Sequence, residues 1–91
     1  MALAPDLPAP YYSWGVALAR HSDQKGALIQ LSKAAQRGPH WADPLKAWGD
    51  VLVKSGERGE ALKKYNEALR YASTWAALKQ ALKAIGAAAT S

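Results

Sequence analysis

An internal repeat with a period of 34 residues constrains this chain more than any other feature. Residues 10–43 and 44–77 align without a gap and are identical at nine positions, against roughly three expected by chance in so alanine-rich a chain. The first members of the identical pairs are Pro10, Trp14, Gly15, Leu18, Ala27, Leu28, Ala34, Trp41 and Ala42. Such a period is typical of stacked helical units that bury their apolar surface against their neighbours.

Residue types and helix breakers predict an all-α fold with five helices. β-branched residues are scarce, and Ala, Leu, Lys, Glu and Gln dominate the sequence. The third helix has the strongest signal, because Asp43 is expected to act as its N-cap and Pro44 falls at its first position. The predicted helices cover about residues 10–21, 24–37, 44–55, 58–71 and 74–86. The chain has 91 residues and no cysteine, so one small domain must be stabilised by packing alone.

Two residue types at the repeated positions indicate how the helices pack. Gly15 and Gly49 lie in the middle of predicted helices, where glycine costs roughly 1 kcal/mol relative to alanine. A neighbouring helix that passes close over each glycine would offset that cost. Trp14 and Trp48 lie on the apolar stripes, and we expect both to be core residues that fill the space between helix pairs.

Each 34-residue unit resembles the tetratricopeptide repeat. The second unit follows the family pattern through Trp48-Gly49, Leu52, Gly56, Ala61-Leu62, Tyr65 and Ala68-Leu69. In the first unit Ser22 stands where the family has a turn glycine, and in the second Ser73 stands where a closing proline is usual. The resemblance implies a right-handed α-solenoid of antiparallel helix pairs, with a closing helix over residues 74–86.

The predicted organisation has five parts, which follow the repeat boundaries. These are a flexible proline-rich lead over residues 1–9, a first repeat over 10–43, a second repeat over 44–73, a capping helix over 74–86 and a disordered tail over 87–91. The lead does not fit a signal peptide, and no run reaches the roughly 18 apolar residues of a membrane span. We therefore expect no membrane association, and a cytoplasmic location is favoured.

The residues give little support to catalysis. His21 and His40 are the only histidines, and both fall at predicted helix ends. His21 with Asp23 lacks the further ligands that a stable metal site requires. Motifs for phosphate binding, nucleophilic serine or zinc proteolysis are absent from the sequence. We expect the protein not to be an enzyme, with no catalytic residues, no bound metal and no cofactor.

Nucleic-acid binding is an alternative that the net charge of +5 raises. The cations concerned lie on the second helix of each pair, which the family architecture places on the convex outside: Lys33, Arg37, Lys63, Lys64 and Arg70. No aromatic residue interleaves with them as base stacking would need. Solvated helix surface is therefore the simpler interpretation, and nucleic-acid binding is less favoured than binding of a protein partner or self-association.

The resemblance implies instead a concave groove lined by the first helix of each pair, a surface that characteristically binds peptides or helices. The predicted groove residues are Tyr12, Val16, Arg20, Lys46, Asp50 and Lys54, with Ala19 and Val53 beside them and Ala77, Gln80 and Ala84 from the closing helix. A clamp of lysines and asparagines for a terminal carboxylate, found in some family members, is absent at the matching positions. The sequence predicts a scaffold or adaptor whose moderately basic groove binds an acidic or amphipathic segment of a protein partner.

Self-association is a further alternative. Two repeats and a closing helix fall short of the three or so units that usually make a stable stack. The first repeat would therefore expose a face that either continues into a longer array or pairs with a second copy in a homo-oligomer.

Overall fold

The computed structural model describes residues 7–90, and the side chains of residues 7–86. This part of the chain folds into five α-helices without a β-strand: α1 (Pro8–Arg20), α2 (Gln24–Arg37), α3 (Ala42–Lys54), α4 (Arg58–Tyr71) and α5 (Ala76–Thr90). Helices that follow one another in the chain pack together, and α1 also contacts α3. The stack is elongated, with extents of 52 × 28 × 16 Å. The prediction of an all-α, five-helix fold is confirmed.

The helix boundaries differ from the prediction at both ends of the chain. α1 begins at Pro8, two residues early, because the first amides of a helix have no acceptor within it and proline is tolerated there. α5 begins at Ala76 and continues past Gly86 to Thr90. Residues 1–6 of the predicted lead and Ser91 of the predicted tail lie outside the described residues.

The start of α3 also differs. Trp41 occupies the N-cap with extended backbone angles, and no side chain donates or accepts a capping hydrogen bond there. The prediction that Asp43 caps this helix is therefore wrong. Asp43 lies within the first turn instead, where its carboxylate interacts favourably with the positive end of the helix dipole.

Two close helix crossings hold the pairs together, one in each repeat. A Cβ placed on Gly15 would lie 2.7 Å from Cγ of Leu31, and one placed on Gly49 would lie 2.5 Å from Cε1 of Tyr65. Leu31 and Tyr65 are themselves one period apart and are almost fully buried. The expected close approach of a neighbouring helix over both glycines is confirmed, and it occurs at equivalent positions of the two repeats.

The turns inside the two pairs are also equivalent. Ser22 and Gly56, one period apart, have φ angles of +65° and +83°. In the first turn the amide of Asp23 donates to the carbonyl of Leu18 at 2.9 Å, and the second turn has the corresponding bond at 2.8 Å. Serine at this left-handed position costs about 1 kcal/mol that glycine does not. The turn of the first repeat thus has the same backbone shape as that of the second, with serine in place of glycine.

The two tryptophans one period apart have different environments. Trp48 packs against both buried clusters at the junction of the repeats, beside Ala35 of α2, and the Nζ atom of Lys64 lies 3.9 Å from its ring centroid. Trp14 is 55% exposed, so its prediction as a core residue is wrong. The equivalent position is buried only where another unit packs on it, and the described residues place no unit before α1.

Substitution of the glycines tests the crossing at Gly49. Gly49→Ala should lower the free energy of unfolding by about 1–2 kcal/mol, because its methyl group would overlap the buried ring of Tyr65. Gly86→Ala is the matched control: no atom lies within 4 Å of its Cβ position, so it should stabilise α5 by about 0.5–1 kcal/mol. Urea denaturation of both variants measures the change in the free energy of unfolding. An increase for Gly49→Ala would contradict the packing described.

Candidate functional site

A cavity of about 210 Å³ opens between α1 and α3. We call it the α1–α3 groove; its lining consists of Tyr12, Val16, Ala19, Arg20, Leu31, Ala47, Asp50, Val51 and Lys54. Five of the six predicted groove residues are in this lining, and the sixth, Lys46, contacts Asp50 at its edge. The helical period explains the grouping, because residues four apart, such as Val16 and Arg20, share one face of a helix.

The floor of the groove is apolar and contains residues that sequence reasoning did not assign to it. Leu31 is fully buried and Val51 is 3% exposed, with Val16, Ala19 and Ala47 around them. Leu31 belongs to α2. It reaches a groove lined otherwise by α1 and α3 because the three helices pack closely together. Ala47 and Val51 could have been predicted from the sequence, because they lie one turn apart on α3 and therefore share a helix face.

Asp50 is the carboxylate of the lining, and two donors hold it. The Nζ atom of Lys46 lies 3.0 Å from Oδ2 of Asp50, and the hydroxyl of Tyr65 donates to Oδ1. Tyr65 is 2% exposed. Burial, together with the hydrogen bond to the carboxylate of Asp50, raises the pKa of Tyr65 above its ordinary value of 10.0. The phenol therefore stays protonated as a donor, and Asp50 has its charge offset within the protein.

Arg20 and Lys54 are the exposed cations of the groove. They are one period apart, each is the last residue of its helix, and neither forms an ion pair with a residue that the structure describes. Because Lys46 offsets Asp50, the groove carries a net charge of about +2 from these two side chains.

Tyr12 forms the opposite end of the groove from the two cations. Its ring packs against Trp41, with centroids 5.0 Å apart and an interplanar angle of 54°. Burial raises the pKa of Tyr12, and the negative charges of Asp43 and Asp50 act in the same direction. The groove thus has an aromatic end, an apolar floor and a cationic end.

The remaining predicted groove residues lie elsewhere. Val53 and Ala84 line a separate cavity of about 210 Å³ that also includes residues of α4 and α5. Ala77 and Gln80 of α5 are exposed and take no part in the lining of the α1–α3 groove. Of the side chains of α5 that the structure describes, Ala76 to Gly86, none lines the α1–α3 groove.

The outer cations contact aromatic rings, contrary to the expectation that no aromatic residue interleaves with them. Arg37 lies 4.6 Å and Lys33 6.0 Å from the ring centroid of Tyr11. Lys64, besides covering Trp48, pairs with Glu67 at 3.4 Å. The rings come from α1 and α3, which is why the sequence of the second helices did not show them. These contacts are packing within the fold.

A scan against protein-family models finds no match to this chain, and a search of curated proteins finds no similar sequence. Within the described part of the chain, no three His, Asp or Glu side chains group so as to hold a metal ion. The helices in that part are all too short or too polar to cross a bilayer.

The raised pKa of Tyr65 predicts a loss of stability in alkali. The unfolded phenol ionises near pH 10, whereas the folded one keeps its proton to higher pH, so its contribution is complete below about pH 10 and is lost above it. Between about pH 9 and pH 11 the free energy of unfolding should fall more steeply for the native protein than for Tyr65→Phe. Tyr71→Phe, at an exposed position, should keep the native slope. Equal slopes in all three proteins would contradict the environment assigned to Tyr65.

Proposed function

We propose that this protein is an interaction module of the tetratricopeptide type, which binds a segment of a partner protein in the α1–α3 groove. The observation that carries the proposal is the coincidence of an apolar floor with two unpaired cations on one accessible cavity. Together they suit an acidic or amphipathic segment, because burial of apolar area drives association and complementary charge directs it.

The repetition of contacts supports a stack of right-handed, antiparallel helix pairs as the scaffold. Both pairs cross at a glycine, both close with the same turn, and α5 packs on α4 as a closing helix would. In such a stack the first helices of successive repeats lie side by side, so the binding wall is assembled from two repeats.

The chemistry of the groove fits binding better than catalysis. Its one carboxylate already accepts hydrogen bonds from Lys46 and Tyr65, and Tyr65 holds its proton more tightly than usual. Neither group is poised to exchange a proton with a substrate near neutral pH. We therefore propose a scaffold or adaptor role without a cofactor.

Selection from a peptide library tests the proposal directly. Random peptides that bind the native protein should lose at least about tenfold in affinity for the double variant Arg20→Glu, Lys54→Glu, because both exposed cations of the groove become repulsive. The double variant Lys33→Glu, Lys63→Glu changes the charge equally on the outer helices and should retain binding. Selected peptides that bind both variants alike would show that the groove is not the binding surface.

A second candidate function is self-association through the face that carries Trp14. Trp14 is 55% exposed on α1 and Ile29 is 53% exposed on α2, whereas Trp48, at the position equivalent to Trp14, is packed at a repeat junction. A second copy packed on this face would cover Trp14 as the junction of the repeats covers Trp48. The first repeat thus has a face ready to pair with a second copy.

Sedimentation equilibrium over a concentration series measures this association. The native protein should show a mass that rises toward a dimer, and Trp14→Lys should remain a monomer. Leu62→Lys removes a comparably exposed apolar side chain from α4 and should dimerise like the native protein. A native protein that stays monomeric throughout the series would exclude self-pairing.

A further inference from the structure

The two repeats contribute different side chains to the α1–α3 groove. At three pairs of positions one period apart, the second repeat carries the members of the Asp50 hydrogen-bond network and the first repeat does not: Tyr12 and Lys46, Val16 and Asp50, Leu31 and Tyr65. Because Asp50 accepts from both Lys46 and Tyr65, a ligand needs no cation to offset the charge of this carboxylate.

Both repeats line the space for an apolar side chain. Val16 and Ala19 of α1 face Ala47 and Val51 of α3 over the buried side chain of Leu31. A cavity of about 150 Å³ is large enough to hold benzene. The 210 Å³ of this groove therefore accommodate one large aliphatic side chain.

The cationic end supplies the anion site. All four helices α1 to α4 end with a basic residue in the last turn, an arrangement that offsets the negative end of each helix dipole. Arg37 and Arg70 are absent from the groove lining, whereas Arg20 and Lys54 both belong to it. Two cations directed at one cavity repel each other until an anion lies between them.

We propose that the groove recognises an internal motif of a partner protein in which a large aliphatic residue is followed closely by an acidic one. The aliphatic side chain enters between Val16 and Val51, and the side-chain carboxylate bridges Arg20 and Lys54. A side-chain carboxylate and a terminal carboxylate present the same acceptor oxygens to these two cations, and the peptides below distinguish them. This inference rests on the proposed function and specifies its ligand.

Four short peptides test the motif, each in Gly-Ser flanks and titrated into the isotope-labelled protein by NMR. The first is acetylated and amidated and has one leucine followed by two glutamates; the second replaces leucine by serine, and the third replaces the glutamates by glutamines. The fourth lacks glutamates and ends in leucine with a free carboxylate. The first should bind at least about fivefold more tightly than each of the others, with shifts at Val16, Ala47 and Val51.

Variants of the groove residues test whether its charge and its apolar site determine the affinity for the peptide. Val16→Asp places in α1 the residue that α3 carries at the equivalent position. It should lower the affinity for the first peptide at least about tenfold, because a carboxylate then occupies the apolar site. Arg20→Gln with Lys54→Gln should weaken it similarly. Arg20→Lys with Lys54→Arg, which exchanges the two cations, should stay within about threefold of the native affinity.

The outcomes distinguish this inference from the function on which it rests. Tighter binding of the fourth peptide, or equal binding of the first three, would overturn the motif. If library peptides of another pattern bound the groove while the first peptide did not, the motif would be wrong and the interaction module would stand. If no peptide shifted the groove residues, both would fall.

Discussion

The close crossing of helices at Gly15 and Gly49 is the constraint on which the rest of the structure depends. Each glycine removes a side chain at the point where the second helix of its pair passes, so that Leu31 or Tyr65 lies directly against the backbone. The face of α1 or α3 that carries the glycine packs against the second helix of its pair. The helical period then determines which residues of α1 and α3 lie on the remaining faces. The groove residues Val16 and Asp50 are the immediate neighbours of the two glycines, and their exposure follows from the crossing.

The same crossing also sets the chemistry of the groove, through the residue that packs on each glycine. In the first repeat it is Leu31, whose side chain forms the apolar floor. In the second it is Tyr65, whose ring packs on Gly49 while its hydroxyl reaches Asp50. The residue that packs on each glycine thus differs in chemistry between two equivalent positions: Leu31 adds apolar surface to the groove floor, and Tyr65 adds a hydrogen bond to Asp50.

Residue types and helix breakers sufficed for the number of helices, and the repeat sufficed for the glycine crossings. The groove residues followed from the family resemblance, and five of the six lie around one cavity. The repeat pattern failed for Trp14, since it carries no information about what packs on the first unit. Residue types failed for Asp43, because capping depends on backbone angles at Trp41. The role of Leu31 as the groove floor depends on how closely α2 packs under α1 and α3, which spacing within a single helix does not give.

The groove is built from two repeats, and this couples binding to the stability of the stack. Arg20 and Val16 belong to the first unit, whereas Lys54 and Val51 belong to the second. A ligand that contacts both sides binds only when the units are docked, so it stabilises their junction by mass action. Trp48 is the largest side chain packed at the junction of the repeats, where it contacts both buried clusters. Under the proposed function, occupation of the groove by a partner segment and docking of the two repeats would therefore be linked in one equilibrium.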